Sequence, residues 1–326
     1  MFPEVPVPSW VTAAHIRYLQ VSVDTLYRQD RAVGGGALLL AGLRSWQRAR
    51  RMLKESGCTG DIKQQLYTVT AEMGVCAGWV ALSAGDHEQA RRLYAEARSL
   101  AEEAGKEARS PAEEARIRVL TAHVLSDSSM LANHVARTGP DRDPARAGLR
   151  LACQAADAAR REHAPQLCAL IAARHARAAA LLGDKAAFRS AITRARRELD
   201  RGMSDGDPEW SRFVDEAEIN ANEAGGHVDL GELARGERLL RRVLDDGLSP
   251  RHQANHGANL AISLLGQGAR MDAIDAATTV LSALESGVTS GLALSKLRPV
   301  RVAARRADHD EFCTRYDAIK RSLTAA

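Results

Sequence analysis

The chain has 326 residues, of which 45% are hydrophobic but only 4% aromatic, and its formal net charge is +4. Alanine and leucine supply most of the apolar content, which favours packed helices, and acidic residues alternate with arginines, which favours salt-bridged solvated faces over a nucleic-acid surface. No basic leader and no run of about 18 apolar residues is present. We therefore expect a soluble, cytoplasmic protein with no membrane partner.

The first eleven residues are predicted to form an extended tail, because three prolines fall among the first eight positions. The N-terminal repeats, residues 12–202, begin with a helix from Thr12 to about Arg31. This helix stops at the glycine run Gly34–Gly36, where helical backbone is costly in entropy. Further helices are predicted at Leu38–Glu55, Ile62–Ala84, His87–Ala104, Glu113–Val135 and Pro144–Glu162, and another hairpin starts at Pro165.

A loop break at residues 203–209 separates these repeats from C-terminal repeats of the same array, residues 210–326. Glycines and a proline at the break preclude a continuous helix. Helices are predicted beyond it at Trp210–His227, Glu232–Leu244, Pro250–Leu265, Met271–Leu284, Gly291–Arg306 and Asp308–Leu323.

Five stretches of the chain can be laid over one another without gaps. A turn column holds Gly85, Gly183, Gly231, Gly268 and Ala307. Nine residues on is a column of mostly bulky residues, Tyr94, Ile192, Leu240, Ala277 and Tyr316, and three further on stand Ala97, Ala195, Val243, Val280 and Ile319. Residues tolerant of positive φ would end one helix, and the spaced apolar residues would pack the next helix back on it. The pattern predicts stacked helical hairpins with a concave groove, suited to binding more than to chemistry.

These hairpins resemble tetratricopeptide repeats, whose small-residue columns and turn they share. The chain also resembles the helical C-terminal region of actinobacterial helix-turn-helix transcriptional regulators. Three stretches carry that likeness: TAAHIRYLQVSVDTLYRQDRAVGGGALLL, AEMGVCAGWVALSAGDHEQARRLYAEARSLAEEAG and DPEWSRFVDEAEINAN. The resemblance implies an all-α, right-handed superhelical solenoid of about seven tetratricopeptide-like hairpins, with a role in the control of gene expression.

In those regulators a DNA-binding domain precedes the first of the three stretches, whereas only eleven residues precede it here. The resemblance therefore implies either a ligand-sensing region that works without its own DNA-binding domain or a derivative of a longer regulator. Direct nucleic-acid binding is not expected without a separate DNA-binding domain.

Polar residues on the first helix of each hairpin are the candidates for ligand contacts in the groove. Asn255 and Asn259 lie one helical turn apart, so their carboxamides share a face and could together hold a peptide backbone. The alternative is that both are exposed or cap loop carbonyls. Trp79 offers a flat contact surface, or else belongs to the core. The full set of predicted groove residues is Glu72, Trp79, Arg174, Arg177, Asn222, Asn255 and Asn259.

Other candidate sites have simpler explanations. Trp210 is predicted to pack against the start of its helix, with a groove role as the alternative. Asp215, Glu216 and Glu218 are predicted to be surface charge, because no nucleophile or metal set accompanies them. His252 and His256 have the spacing of two ligands on a helix, but no third ligand follows, and the five cysteines are scattered. We expect no metal, no cofactor and no catalytic residues.

The sequence favours a non-enzymatic regulatory binding module that senses a peptide, a protein tail or a small metabolite and is linked to transcriptional control. The alternative is a scaffold or adaptor for an enzyme complex or a second regulator. The last predicted helix has Phe312, Tyr316 and Ile319 on one side. This apolar face would either cap the stack or pair with a second copy of the chain in a homodimer.

Overall fold

The computed structural model describes residues 6–246 and 248–325. Within those residues the chain is helical, with no β-strand and only an isolated bridge between Trp10 and Gly57. None of the described helices is both long and apolar enough to cross a membrane. The prediction of an all-α repeat solenoid is confirmed. Residues 1–5 of the predicted tail lie outside the described residues, and Val11, near its end, is buried.

The helices follow one another in adjacent pairs, joined by short turns. Two short 3₁₀ segments, Gly36–Leu38 and Glu209–Phe213, lie between them. The helices are α1 (Ala13–Val33), α2 (Leu39–Glu55), α3 (Gly60–Ala84), α4 (His87–Lys106), α5 (Pro111–Thr138), α6 (Asp143–Ala159), α7 (Pro165–Leu181), α8 (Lys185–Leu199), α9 (Glu216–Asp229), α10 (Leu233–Asp245), α11 (Pro250–Gly266), α12 (Arg270–Glu285), α13 (Gly291–Lys296), α14 (Arg298–Arg305) and α15 (Asp310–Ala325).

The predicted turn column is confirmed at its four glycines. Gly85, Gly183, Gly231 and Gly268 all have positive φ, between 76° and 97°. The prediction at Ala307 is wrong by one residue, because Asp308 takes the left-handed conformation there, with φ 52°. Aspartate tolerates this region better than alanine does, since its short polar side chain can bond locally.

The predicted apolar columns are buried as expected. Tyr94 is 2% exposed and packs over Gly78 of the preceding helix, where an added Cβ would lie 2.5 Å from the ring. A large side chain on the second helix therefore requires a glycine on the first. Phe312, Tyr316 and Ile319 are also buried, in contact with the α12 and α14 core. Their burial favours the capping role over an exposed dimer face.

Two predicted helices are interrupted. The segment Trp210–His227 is not one helix, because Asp215 accepts a hydrogen bond from the Glu218 N–H at 2.9 Å and so caps α9 as a new start. The segment Gly291–Arg306 divides into α13 and α14 at Leu297. Pro299 lies in the first turn of α14, and proline cannot continue a preceding helix.

The odd-numbered helices from α1 to α11 form an inner wall that closes on itself. Each contacts the next in the series, and α11 contacts α1. The even-numbered helices α2 to α12 pack outside as the partners of the hairpins. An open concave groove was expected, but direct packing of the sixth inner helix on the first encloses a hollow instead.

The closing seam, by which we mean the contacts of α1 and Gly34–Gly36 with α11 and Thr289, is held by backbone hydrogen bonds. Thr289 N–H donates to the Val33 carbonyl at 2.7 Å, and Gly36 N–H donates to the Thr289 carbonyl at 3.0 Å. The Thr289 hydroxyl accepts from Ala37 N–H at 2.8 Å. The glycine run therefore ends α1, as predicted. It also forms hydrogen bonds with the segment around Thr289, about 250 residues further along the chain.

Candidate functional site

A central cavity of about 170 Å³ lies inside the inner wall. Side chains from α1, α3, α5, α7, α9, α11 and α13 line it, because each inner helix turns one polar stripe away from its outer partner. The aromatic side chains among them are Tyr27, Trp79, Trp210 and Phe213. The hollow is therefore bounded by both flat apolar surfaces and charged groups.

Six of the seven predicted groove residues line this cavity: Trp79, Arg174, Arg177, Asn222, Asn255 and Asn259. Glu72 does not. It lies on a neighbouring cavity of about 570 Å³ bounded by α1, α3, α5 and residues 205–210, where it accepts a hydrogen bond from Arg116 at 3.4 Å. Helical spacing correctly predicts that Glu72 is on an inner helix. It does not predict which cavity that part of the helix borders. A ligand-binding role for all seven residues stays a prediction.

A network at the closing seam joins α1, α3 and α11. Trp79 Nε1 donates to Asp30 Oδ2 at 2.7 Å, and Arg251 Nε lies 3.0 Å from the same oxygen as an ion pair without hydrogen-bond geometry. The Arg251 guanidinium also lies 5.0 Å from the centre of the Trp79 ring. Trp79, on the second hairpin, thus lines the cavity and also contacts residues of the first and sixth hairpins.

A second buried network joins α5 and α7. The Arg174 guanidinium contacts Asp127 and donates to the Ser126 hydroxyl at 2.7 Å. The Asn133 amide donates to the Arg174 carbonyl at 3.2 Å. Because both charges are buried, their mutual attraction must offset the cost of removing them from water.

A third network joins α5, α7 and α9. Arg137 donates to both oxygens of Asp229, each at 2.8 Å, and Arg177 Nε donates to Oδ2 at 3.0 Å. Burial alone would raise the pKa of Asp229, but the two guanidinium groups outweigh it and the pKa is lowered. Burial, partly offset by Asp229, lowers the pKa of Arg177 to about 10.

Asn255 and Asn259 differ from these satisfied networks. Both are buried, at 6% and 7% exposed, and neither side chain forms a hydrogen bond with any described residue. The interpretation that they are exposed is therefore wrong. Other cavity-lining atoms without a partner among the described residues are Tyr27 Oη, Asp30 Oδ1, Asn133 Oδ1, His134 Nε2 and His256 Nδ1. Such groups are costly to bury unpaired, so a polar occupant would stabilise them.

Trp210 also belongs to the cavity, through a ring stack that the sequence did not predict. Its ring stacks on His123 with centroids 3.6 Å apart and planes inclined by 15°. His252 and His256 stack on each other at 6.1 Å along α11. Burial lowers the pKa of His123 to about 4 and that of His256 to about 3, so both rings are neutral near pH 7.

These neutral histidines predict a loss of stability in acid. Between pH 6.5 and the lowered folded pKa, the unfolded chain binds a proton that the folded chain does not. The free energy of unfolding should therefore fall with falling pH, by up to about 1.4 kcal/mol per pH unit for each such histidine. Urea unfolding at pH 5 and pH 7 measures the slope. His256→Gln is expected to reduce it, whereas His163→Gln, at an exposed side chain, serves as the control.

The acidic cluster after Trp210 has divided roles. Asp215 and Glu216 are exposed, as predicted, but Glu218 lines the central cavity. Burial raises the pKa of Glu218, and the Asn222 amide, which donates to its Oε1 at 2.9 Å, partly opposes that effect. The prediction of surface charge is wrong for Glu218, because this residue lies on the face of α9 that lines the cavity.

The sequence reasoning missed most charged cavity residues. Asp30, Asp127, Arg137, Arg251 and Lys296 were not singled out, although the first four lie on inner helices and Lys296 ends α13. One usable signal was present: Asp127 stands in a stretch of α5 whose neighbouring residues are mostly small or apolar. Its arginine partner comes from another hairpin, which spacing along one helix cannot reveal.

No protein-family model matches the chain, and no curated protein matches it. A crystal structure of a Rap protein complexed with competence and sporulation factor aligns over 95% of this chain and 99% of that chain. The sequence identity is 13% and the TM-score is 0.44. Similarity at this level assigns neither a ligand nor a partner to this chain.

Proposed function

We propose that the chain is a non-enzymatic regulatory binding module, and that its central cavity accepts a narrow polar ligand: an extended peptide, a protein tail or a small metabolite. The observation that carries the proposal is the carboxamide pair on Asn255 and Asn259, two buried residues whose side chains form no hydrogen bond with the described residues; the Asn255 Oδ1 atom is itself buried. A buried acceptor without a partner favours a ligand that supplies a donor.

The surroundings of the two carboxamides suit an amide-bearing ligand. An amide of the ligand would donate to one carboxamide oxygen and accept from the other carboxamide nitrogen, which is how a side-chain amide reads a peptide bond. Trp79 and Trp210 offer flat apolar faces to the same cavity. The cavity carboxylates of Asp30 and Asp127 already contact arginines, so a neutral ligand would not leave them unpaired.

Three titratable side chains of the cavity, His123, His256 and Asp127, are poorly suited to catalysis. Proton transfer near pH 7 needs a group whose pKa lies close to that pH. His123 and His256 have pKa values of about 4 and 3, which makes them weak bases. Asp127 contacts Arg174 and is not free to act as a nucleophile.

Ligand binding in the central cavity can directly affect the packing at the closing seam. Trp79 and Arg251 line the cavity and also hold Asp30 across the seam. A ligand that moves either side chain would change how the first hairpin packs on the sixth. We propose that this change is read by a second protein, and the resemblance to transcriptional regulators suggests a DNA-binding partner.

A scaffold is the second candidate function. The enclosed inner wall leaves no room for a folded partner, so a scaffold would have to use the outer helices. Pull-down from the native host separates the two functions. A stoichiometric protein partner retained without any small ligand would favour the scaffold.

The variant Asn255→Leu tests the binding proposal. Leucine has a similar volume and removes the unpartnered oxygen, so the free energy of unfolding is expected to rise by about 1 kcal/mol. Ligand occupancy should fall at least about tenfold, equivalent to about 1.4 kcal/mol. Native mass spectrometry would measure occupancy after incubation with random pentapeptides and, separately, with the low-mass fraction of the host extract.

Asn220→Leu is the matched control, because Asn220 bonds to Arg196 and does not line the central cavity. It should leave occupancy unchanged while lowering stability. Equal occupancy in wild type and Asn255→Leu would contradict the proposed site. A wild-type chain that binds nothing from either mixture would contradict the proposed function.

A further inference from the structure

A second cavity lies beside the central one, at the carboxyl-terminal ends of the inner helices. Its volume is about 560 Å³, within the range of small-molecule sites, and it shares a wall with the central cavity. Its lining contains one carboxylate, Asp229, and five basic side chains: Arg137, Arg177, Lys296, Arg298 and Lys320. We call this space the basic cavity.

Lys296, at the end of α13, lies on the wall between the two cavities and lines both. Its side chain is only partly exposed and forms neither a hydrogen bond nor a salt bridge with any described residue. Burial, followed by the nearby Arg137 and Arg177, lowers the pKa of Lys296 to about 7. The attraction of Asp229 only partly opposes these effects, so no ion pair offsets the burial of the ammonium group.

Asp229 is not available for a direct ion pair with Lys296. Both of its oxygens accept from Arg137, and Oδ2 also accepts from Arg177, so two guanidinium groups already share one carboxylate. Lys296 and Arg298 form no salt bridge with the described side chains, so the basic cavity keeps a surplus of positive charge. In partly desolvated surroundings such a surplus attracts anions strongly.

We propose that the basic cavity binds the phosphate group of a small ligand, with Lys296 as its central contact. Phosphate fits because it carries up to two negative charges and three oxygens that accept hydrogen bonds. A single carboxylate would leave most of the surplus charge unmatched. The Asn259 amide, unpartnered and on the same wall, is a further donor to such a group.

This proposal does not depend on the peptide or metabolite proposed for the central cavity. The two cavities share a wall made of Lys296, Arg137, Arg177 and Asn259, and Asn259 is also one of the carboxamide pair. Phosphate bound on one side of that wall would change the charge that a ligand on the other side meets. Occupancy of the two cavities is thereby coupled through direct contacts.

The experiment uses the full chain with sodium phosphate as probe, against sodium chloride at matched ionic strength. Phosphate is expected to raise the unfolding temperature and to give saturable heat in titration calorimetry, whereas chloride is not. Lys296→Met should weaken phosphate binding at least about tenfold. Lys54→Met, at an exposed position on the outer helix α2, removes the same charge elsewhere and should leave binding unchanged.

Lys296→Met should also raise the unfolding temperature in the absence of phosphate, because it removes an unpaired, partly buried cation. Lost binding together with raised stability excludes unfolding as the cause. Arg298→Ala, at the exposed rim of the cavity, is a second variant and should weaken binding to a smaller degree.

Three results would overturn the proposal: equal effects of phosphate and chloride, equal phosphate binding by wild type and Lys296→Met, or acetate binding as tight as phosphate. The last would identify a carboxylate site instead. A parallel titration with glycerol 3-phosphate distinguishes a phosphorylated metabolite from free phosphate as the natural ligand. Tighter binding of this ester than of inorganic phosphate supports a phosphorylated metabolite, and the reverse supports free phosphate.

Discussion

Asp229→Asn is expected to lower the free energy of unfolding by about 3–5 kcal/mol, since it leaves two buried guanidinium groups without their shared counter-ion. The Asp229 side chain is 4% exposed and accepts from both Arg137 and Arg177. These arginines come from α5 and α7, so the substitution also loosens the contact of both helices with α9. Urea unfolding at pH 7 measures the loss.

Asp317→Asn is the matched control. Asp317 also accepts two bonds from one arginine, Arg301, at 2.6 and 2.8 Å, but this pair lies at the surface. Surface pairs contribute at most about 1 kcal/mol, so the control should lose no more than that. Similar losses in the two variants would show that burial does not govern the Asp229 network.

Gly34→Ala is expected to open the closing seam. Gly34 has φ 79°, and a Cβ at this position would lie 2.5 Å from the Thr289 carbonyl oxygen. Alanine would thus meet both an unfavourable backbone conformation and a clash with the backbone that the seam requires. Hydrogen exchange should show faster exchange of the amides at Gly34, Gly36 and Thr289, and ligand binding in the central cavity should weaken.

Gly231→Ala separates the two causes. Gly231 has φ 76°, close to that of Gly34, but nothing lies within 4 Å of an added Cβ. It should lose only the backbone cost of about 1–2 kcal/mol, with exchange at the seam unchanged. The stability loss in Gly34→Ala must exceed this value. If Gly231→Ala also exposes the seam amides, the seam would depend on overall stability rather than on the Thr289 contact.

Much of the fold could be predicted from the sequence, because each hairpin depends on local signals. A glycine with positive φ ends a helix within a few residues of where the apolar period breaks, as at Gly85 and Gly183. Two local predictions failed. Pro299 divides the predicted helix Gly291–Arg306, which ran through that proline, and Asp308 rather than Ala307 adopts the left-handed turn.

The candidate site was predicted only in part, for a physical reason. Asn255 and Asn259 could be placed on one face because helical spacing fixes their relation. The partners of the buried charges could not, since Arg137 and Asp229 are 92 residues apart and meet only when three hairpins stack. The closure that brings Arg251 to Asp30 likewise depends on the summed rotation of successive hairpins, which no single repeat encodes.

The contact between the first and sixth inner helices changes how the array should lose its structure. In a linear stack each unit touches only its neighbours, so the outermost units fray independently. Here α1 is held by α3 on one side and by α11 on the other. The first hairpin is thus braced from both sides, and it should melt together with the rest of the ring instead of peeling away.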